Sequence, residues 1–204
     1  MTDDDVQRPR GRPKTFDRAH TLDVATQSWW RDGIDGISLN EICRRAGVSK
    51  PGVYREFGNE DQLMDAALTH YVDTVLASAL ASLSAGRPFQ ETLDGLVAYA
   101  THADTPEMPA GCLFAGMRNQ QWRLGPVTSA HVDRLRVDAV AAYAAWLQRC
   151  VDAGEIELRA SAEVTAAFVE AQLTMMLTRT AAGDDPEALR DHARLAFAVL
   201  TDTT

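Results

Sequence analysis

Residues 38–57 read Ser38-Leu39-Asn40-Glu41-Ile42-Cys43-Arg44-Arg45-Ala46-Gly47-Val48-Ser49-Lys50-Pro51-Gly52-Val53-Tyr54-Arg55-Glu56-Phe57. Ser38 followed three residues later by Glu41 is a capping box that starts a helix. The inward face of that helix is Leu39, Ile42 and Ala46. Gly47 ends it, because a tight turn here needs a residue tolerant of positive φ. Ser49 then caps a second helix whose core-facing residues, Val53 and Phe57, lie one turn apart. Two short helices joined by a Gly-containing turn of three to four residues form a helix-turn-helix, the motif that lays its second helix in the major groove of DNA.

The polar residues stand where that reading needs them. Arg44 and Arg45 end the first helix, Lys50 begins the second, and Tyr54 and Arg55 point outward. Cations neutralise phosphates and a Tyr hydroxyl can donate to one. Upstream, Arg8-Pro9-Arg10-Gly11-Arg12-Pro13-Lys14 alternates cations with residues that keep the chain extended. Such an arm suits the narrow minor groove. The DNA-contacting set expected from the sequence is therefore Arg8, Arg10, Arg12, Lys14, Ser38, Arg44, Arg45, Ser49, Lys50, Pro51, Gly52, Tyr54 and Arg55.

Charge distribution supports this division of labour. The 204 residues carry a net charge of -9, which argues at first against a polyanionic partner. Residues 1–57, however, hold ten basic and nine acidic side chains, so the acidic surplus lies wholly in the remainder. An asymmetry of this kind marks two jobs in one chain.

Outward from the motif, the sequence reads as all-α. The stretches 60–85, 127–153, 155–182 and 187–204 contain neither Gly nor Pro, and Ala supplies 32 residues. Apolar stripes at helical spacing run through Leu68, Val72, Val75, Ala79 and Leu83, and through Val132, Leu135, Ala139, Ala142, Trp146 and Cys150. Shorter helices fit Asp17 to Asp32, Phe89 to Ala103 and about Cys112 to Trp122. No window approaches eighteen uninterrupted apolar residues, so no membrane span is expected, and the polar start lacks a secretory signal, so a cytoplasmic location is. Cys43, Cys112 and Cys150 are too few and too scattered for a disulfide framework or a zinc cluster. There is no HExxH, no GxSxG and no phosphate-binding Gly loop, so neither an enzyme nor a cofactor protein is expected.

The residues Gly11-Arg12-Pro13, Phe16-Asp17, Trp29-Trp30, Gly33-Ile34, Ser38-Leu39, Ala46-Gly47-Val48-Ser49-Lys50, Val53-Tyr54, Phe57 and Leu63 together resemble the DNA-binding domain of the tetracycline-repressor (TetR) family. Pro51-Gly52, Glu56 and Glu60 differ from the residues that many members carry there. The resemblance implies an arm at 1–15, a helix-turn-helix domain at 16–76 with its recognition motif at 39–58, and a ligand-binding and dimerisation domain at 77–204. It implies a homodimeric transcriptional repressor that leaves a near-palindromic operator in double-stranded DNA when a small-molecule effector binds. The alternative is a C-terminal half that binds a protein partner.

On that resemblance, the effector pocket draws on Tyr99, His102, Cys112, Phe114, Met117, Gln121, Trp122, Tyr143, Trp146, Gln172 and Met176. The dimer interface draws on Val164, Phe168, Ala171 and Met175 in one helix and Leu189, Ala193, Ala196 and Leu200 in the next, the latter stripe being expected to face water in a lone chain. Effector entry is expected to displace the 60–85 helix. Cys112 next to Gly111 resembles the cysteine of electrophile sensors, with Arg118 as the cation that would activate its thiol.

Overall fold

The computed structural model describes residues 16–200, so the basic arm, with Arg8, Arg10, Arg12 and Lys14, lies outside the described residues. Among the described residues the structure consists of helices and their connections, with no sheet. Helix α1 (Arg18–Asp32) is capped by Asp17, whose carboxylate accepts from the His20 amide at 3.0 Å. Helices α2 (Leu39–Ala46) and α3 (Lys50–Phe57) follow, and α4 (Glu60–Tyr71) begins where Asn59 accepts from the Gln62 amide at 2.9 Å.

The helix-turn-helix forms for the local reasons its sequence suggests. Ser38 and Ser49 accept from the amides of Glu41 and Gly52, and Gly47 adopts φ 66°, ψ 30°. One half of the capping box is used otherwise: the Glu41 carboxylate turns away from the cap and accepts from Arg44 Nε at 2.7 Å and Arg45 Nε at 3.1 Å. Two guanidinium groups attract that carboxylate more strongly than one amide does. Ile42, Val53, Leu63, Leu68 and Trp29 form a fully enclosed core beneath the motif, and Trp30 meets Tyr71 edge to face at 4.7 Å.

The expected single helix over 60–85 is interrupted. After α4 comes one π turn, Val72–Leu76, and then α5 (Ala77–Leu83). A π turn leaves no trace in hydrophobic periodicity, because it adds one residue to a turn without a Gly or Pro to mark it. By length and composition this Glu60–Leu83 run would also pass for a membrane span, with mean hydropathy 1.2. It instead packs Leu63, Ala67, Leu68 and Tyr71 into the core and bonds to α8 through Asp61 and Asp65.

The second half comprises α6 (Phe89–Ala100), α7 (Leu113–Asn119), a 3-10 turn Gln121–Arg123, the long α8 (Pro126–Asp152), α9 (Ala162–Ala181) and α10 (Pro186–Phe197). Several polar ties join it to the first half. The Asp61 carboxylate accepts from the Val127 and Thr128 amides at 2.9 and 3.0 Å and from the Thr128 hydroxyl at 2.6 Å, so a side chain of α4 caps α8. His131 meets Asp65 at 2.7 Å. At the end of α1, Arg31 donates to the Asp104 carboxylate and to the Thr105 and Pro106 carbonyls.

Candidate nucleic-acid interface and effector cavity

Helix α3 presents a polar face. Tyr54 is exposed, as are Pro51 and Arg55, and Lys50 lies 5.5 Å from the centre of the Tyr54 ring. Arg44 and Arg45 at the end of α2 are exposed too, but both pair with Glu41, and Arg45 also reaches Asp32 at 2.6 Å. Their charge is partly neutralised inside the protein, whereas Lys50 and Arg55 make no ion pair among the described residues. Ser38 and Ser49 are exposed caps whose hydroxyls already accept an amide. Gly52 is buried: a Cβ there would lie 3.3 Å from the Phe16 ring, so this glycine serves the packing of Phe16 and is turned from the polar face. Glu56 is absorbed locally by Arg18 at 3.2 Å.

The second half encloses a cavity of about 80 Å³ between α5, α6, α7, α8 and α9. Of the residues expected to line it, Tyr99, Cys112, Phe114 and Tyr143 do. The others are engaged elsewhere, each for a visible reason. Met117, Met176 and Trp146 are core residues, the last stacked on Phe89 at 5.3 Å. His102 is held between the carbonyls of Tyr99 and Pro109 at 2.7 and 2.9 Å, and Gln121 donates to Ser129. Gln172 meets His192 at 2.9 Å, and Trp122 is 78% exposed on the 3-10 turn.

The reading from sequence missed most of the wall. Val72 and Leu76 of the π turn, Ala79 of α5, and Leu135 and Ala139 of α8 line the cavity, although their stripes read as ordinary core. Aliphatic positions look alike whether they meet a neighbour or a void. Glu170 on α9 was missed as well, yet it left a signal: an acid spaced with Ala166, Leu173 and Leu177, all buried. Its Oε1 accepts from Arg118 and, at 2.9 Å, from Thr174.

Arg118 therefore serves Glu170 and does not activate Cys112. Burial pushes the Cys112 thiol up, more than hydrogen bonding from the Tyr71 hydroxyl and the α7 amides draws it down. Burial likewise raises Cys43 and Cys150. A raised thiol holds less thiolate at neutral pH and reacts more slowly. We expect Ellman's reagent at pH 7.5 to find no reactive thiol in the folded protein and three after denaturation. Prompt reaction of Cys112 in the native state would restore its reading as a sensor. Among the described residues, no group of three or more His, Cys, Asp or Glu is placed to hold a metal ion.

The stripe Leu189, Ala193 and Leu200 is buried within this chain, contrary to expectation, and Ala196 is half-buried. The outward side of α10 carries Leu195, 76% exposed, and the turn after it carries Val199, 50% exposed. On α9, Val164 and Ala171 are exposed while Phe168 and Met175 are half-buried, so the described residues leave that side of the helix open.

Residues 22–67, which run from α1 into α4, match the sequence profile described as bacterial regulatory proteins, tetR family. Over these residues the chain carries a DNA-binding domain of the TetR type. It is 35% identical over 111 residues to the HTH-type transcriptional repressor ComR of Escherichia coli, an alignment that spans 53% of each protein and so only about half of that relative. It is 24% identical over 192 residues to the HTH-type transcriptional regulator YezE of Bacillus subtilis, covering 93% of this chain and 99% of the other. The fold matches that of the TetR-family regulator CifR, solved with a 26-base-pair operator, at TM-score 0.79 and 21% identity over 93% of this chain and all of that one. These relatives are named as transcriptional regulators, and none is named as an enzyme.

Proposed function

We propose that this chain is a homodimeric, DNA-binding transcriptional repressor of the cytoplasm that releases a near-palindromic operator when a small apolar effector fills the cavity beside α5. The observation that carries this reading is the continuity of the Glu60–Leu83 run. It starts two residues after α3, and its π turn forms part of the cavity wall. A molecule in the cavity touches the same helical rod that seats the recognition helix. Effector binding shifts the equilibrium between DNA-competent and released forms only by its difference in affinity for the two. The mostly aliphatic and aromatic wall supports a small molecule over a protein partner as the occupant.

For DNA contact, the reading assigns Lys50, Tyr54 and Arg55, together with Pro51, to the groove-facing side of α3. Arg44, Arg45, Ser38 and Ser49 take phosphate positions at the flanks, and the arm residues Arg8, Arg10, Arg12 and Lys14 the neighbouring minor groove. The domains divide as arm 1–15, DNA-binding unit 16–76 and effector and dimer unit 77–204. Two recognition helices in a two-fold dimer stand about 34 Å apart, one turn of DNA.

The test is selection of bound fragments from genomic DNA at two salt concentrations. We expect a near-palindrome whose log affinity falls steeply with log salt. Substituting Arg55 by Ala should weaken binding and, for each phosphate that this guanidinium neutralises, lower the salt slope by about 1. Absence of enrichment at low salt would overturn the assignment.

A further inference from the structure

Two polar atoms at the cavity make no hydrogen bond among the described residues. Glu170 is 6% exposed, and while its Oε1 accepts from Arg118 and Thr174, its Oε2 receives no hydrogen bond among the described residues. The Tyr143 hydroxyl, which lines the same cavity, also makes none. The other polar atoms of the wall are accounted for: the Tyr99 hydroxyl meets the Tyr71 hydroxyl at 3.1 Å, and the Thr174 hydroxyl donates to Glu170. An apolar chamber thus displays one acceptor, the Glu170 carboxylate, and one donor, the Tyr143 phenol. Neither atom is fully occluded, so both are open to a molecule in the chamber, and one that satisfies both is favoured over one that satisfies neither.

We propose that the effector is a small, mostly apolar molecule bearing a single hydroxyl group, an alcohol or a phenol, whose O–H donates to Glu170 Oε2 and whose oxygen accepts from Tyr143. The inference rests on the effector reading given above. A hydroxyl is the simplest group that both donates and accepts at one atom. An ammonium would donate to Glu170 but cannot accept from Tyr143. A carboxylate would accept from Tyr143 but faces the Glu170 charge. A pure hydrocarbon leaves Glu170 Oε2 and the Tyr143 hydroxyl as they are, without a partner. Tyr143 stays protonated and available as a donor, because burial first and the neighbouring Glu170 carboxylate second push its ionisation up.

Size is the second element. The cavity, at about 80 Å³, is smaller than the roughly 150 Å³ space known to admit benzene. An aromatic alcohol therefore enters by pushing outward on Val72 and Leu76, which belong to the π turn. The polar pair sets which molecules bind, and the volume mismatch makes their binding move the helix.

The experiment uses the full-length protein and four probes of near-equal size: phenol, toluene, benzoate and benzylamine. Binding is measured by titration calorimetry and by shifts of the protein's methyl resonances, with release of selected operator fragments measured in parallel. We expect phenol to bind at least tenfold more tightly than any of the other three. Tyr143→Phe should remove most of that preference while leaving toluene unchanged, and Glu170→Gln should do the same if its melting temperature shows it folded. Should Glu170→Gln not fold, Tyr143→Phe alone decides. Equal or tighter binding of toluene, benzylamine or benzoate, or a phenol preference that survives Tyr143→Phe, overturns the proposal. Phenol binding without operator release would uphold this ligand class and refute the effector role, whereas release by toluene would do the reverse.

Discussion

Replacing Asp61 by Ala is expected to lower the melting temperature by about 5–10 °C, the largest loss of stability from any single exposed or half-buried polar side chain here. The reason is the position of its carboxylate. It accepts from the amides of Val127 and Thr128 and from the Thr128 hydroxyl, so it performs for α8 the work that an N-cap residue usually performs for its own helix. Gly125, the residue that occupies the cap position, offers no side-chain acceptor. Loss of an N-cap costs about 1 kcal/mol, and hydrogen bonds to a charged acceptor contribute about 1.5–3 kcal/mol. With Thr128 fully buried, no solvent replaces Asp61 at its hydroxyl. A net loss of about 2–3 kcal/mol, at about 2–4 °C per kcal/mol in a chain of this size, gives the expected shift.

The same carboxylate carries a pH signature. Burial, the strongest single influence, pushes the Asp61 carboxyl up, but the Thr128 hydroxyl and the two amides together outweigh it and hold it below the usual value. A carboxylate lowered by folding contributes stability that is present above its unfolded pKa of about 4 and is lost as pH falls through its folded value. Wild-type stability should therefore fall with acid more steeply than that of Asp61→Asn, and the two should converge below pH 4. Gly125→Ala supplies a second route to the joint, since its added Cβ would collide with the Asp61 carboxyl group. A thermal melt of Asp61→Ala within 1–2 °C of wild type would show that α4 does not hold α8 in this way.

What the sequence made legible follows from how local each cause is. The helix-turn-helix could be read because Ser38, Gly47 and Ser49 act on amides and dihedrals within three residues of themselves. The Asp61 cap could not, because its partners lie 66 and 67 positions away. The cavity wall was hidden for a related reason. Its aromatic members drew attention, but the cavity is defined by which helix faces fail to meet, and Leu135 or Ala139 carries no mark of that. On α10 the period was right and the side was wrong. Leu189, Ala193 and Leu200 form one stripe while Leu195 and Val199 belong to another, and a pattern alone does not say which stripe packs inward. The bond between Gln172 and His192 shows how α9 and α10 are rotated.

That rotation gives the second large effect. With Leu195 replaced by Arg, the chain is expected to behave as a monomer and to lose at least 100-fold in operator affinity. Val164, Phe168, Ala171 and Met175 recur at three- and four-residue steps on α9, and Leu195 on α10 and Val199 in the turn after it lie outward beside them, an apolar face that the described residues do not cover. We assign it to the two-fold interface with a second copy, together with the half-buried Ala196, in place of the inward Leu189, Ala193 and Leu200. Burying a Leu or Val contributes about 1.5–3 kcal/mol, and two-fold symmetry counts each side chain twice. An Arg at Leu195 removes that gain and places two unpaired guanidinium groups in a desolvated interface, which costs several kcal/mol more. Operator binding then suffers because a tethered second half-site experiences an effective concentration near millimolar, an advantage a monomer lacks. Val137→Arg is the control: it lies on α8, is 57% exposed, and should leave both mass and affinity unchanged. Sedimentation and operator titration read the two quantities separately. A dimeric Leu195→Arg protein would move the interface elsewhere, and a monomer that kept full operator affinity would mean that the two recognition helices act independently.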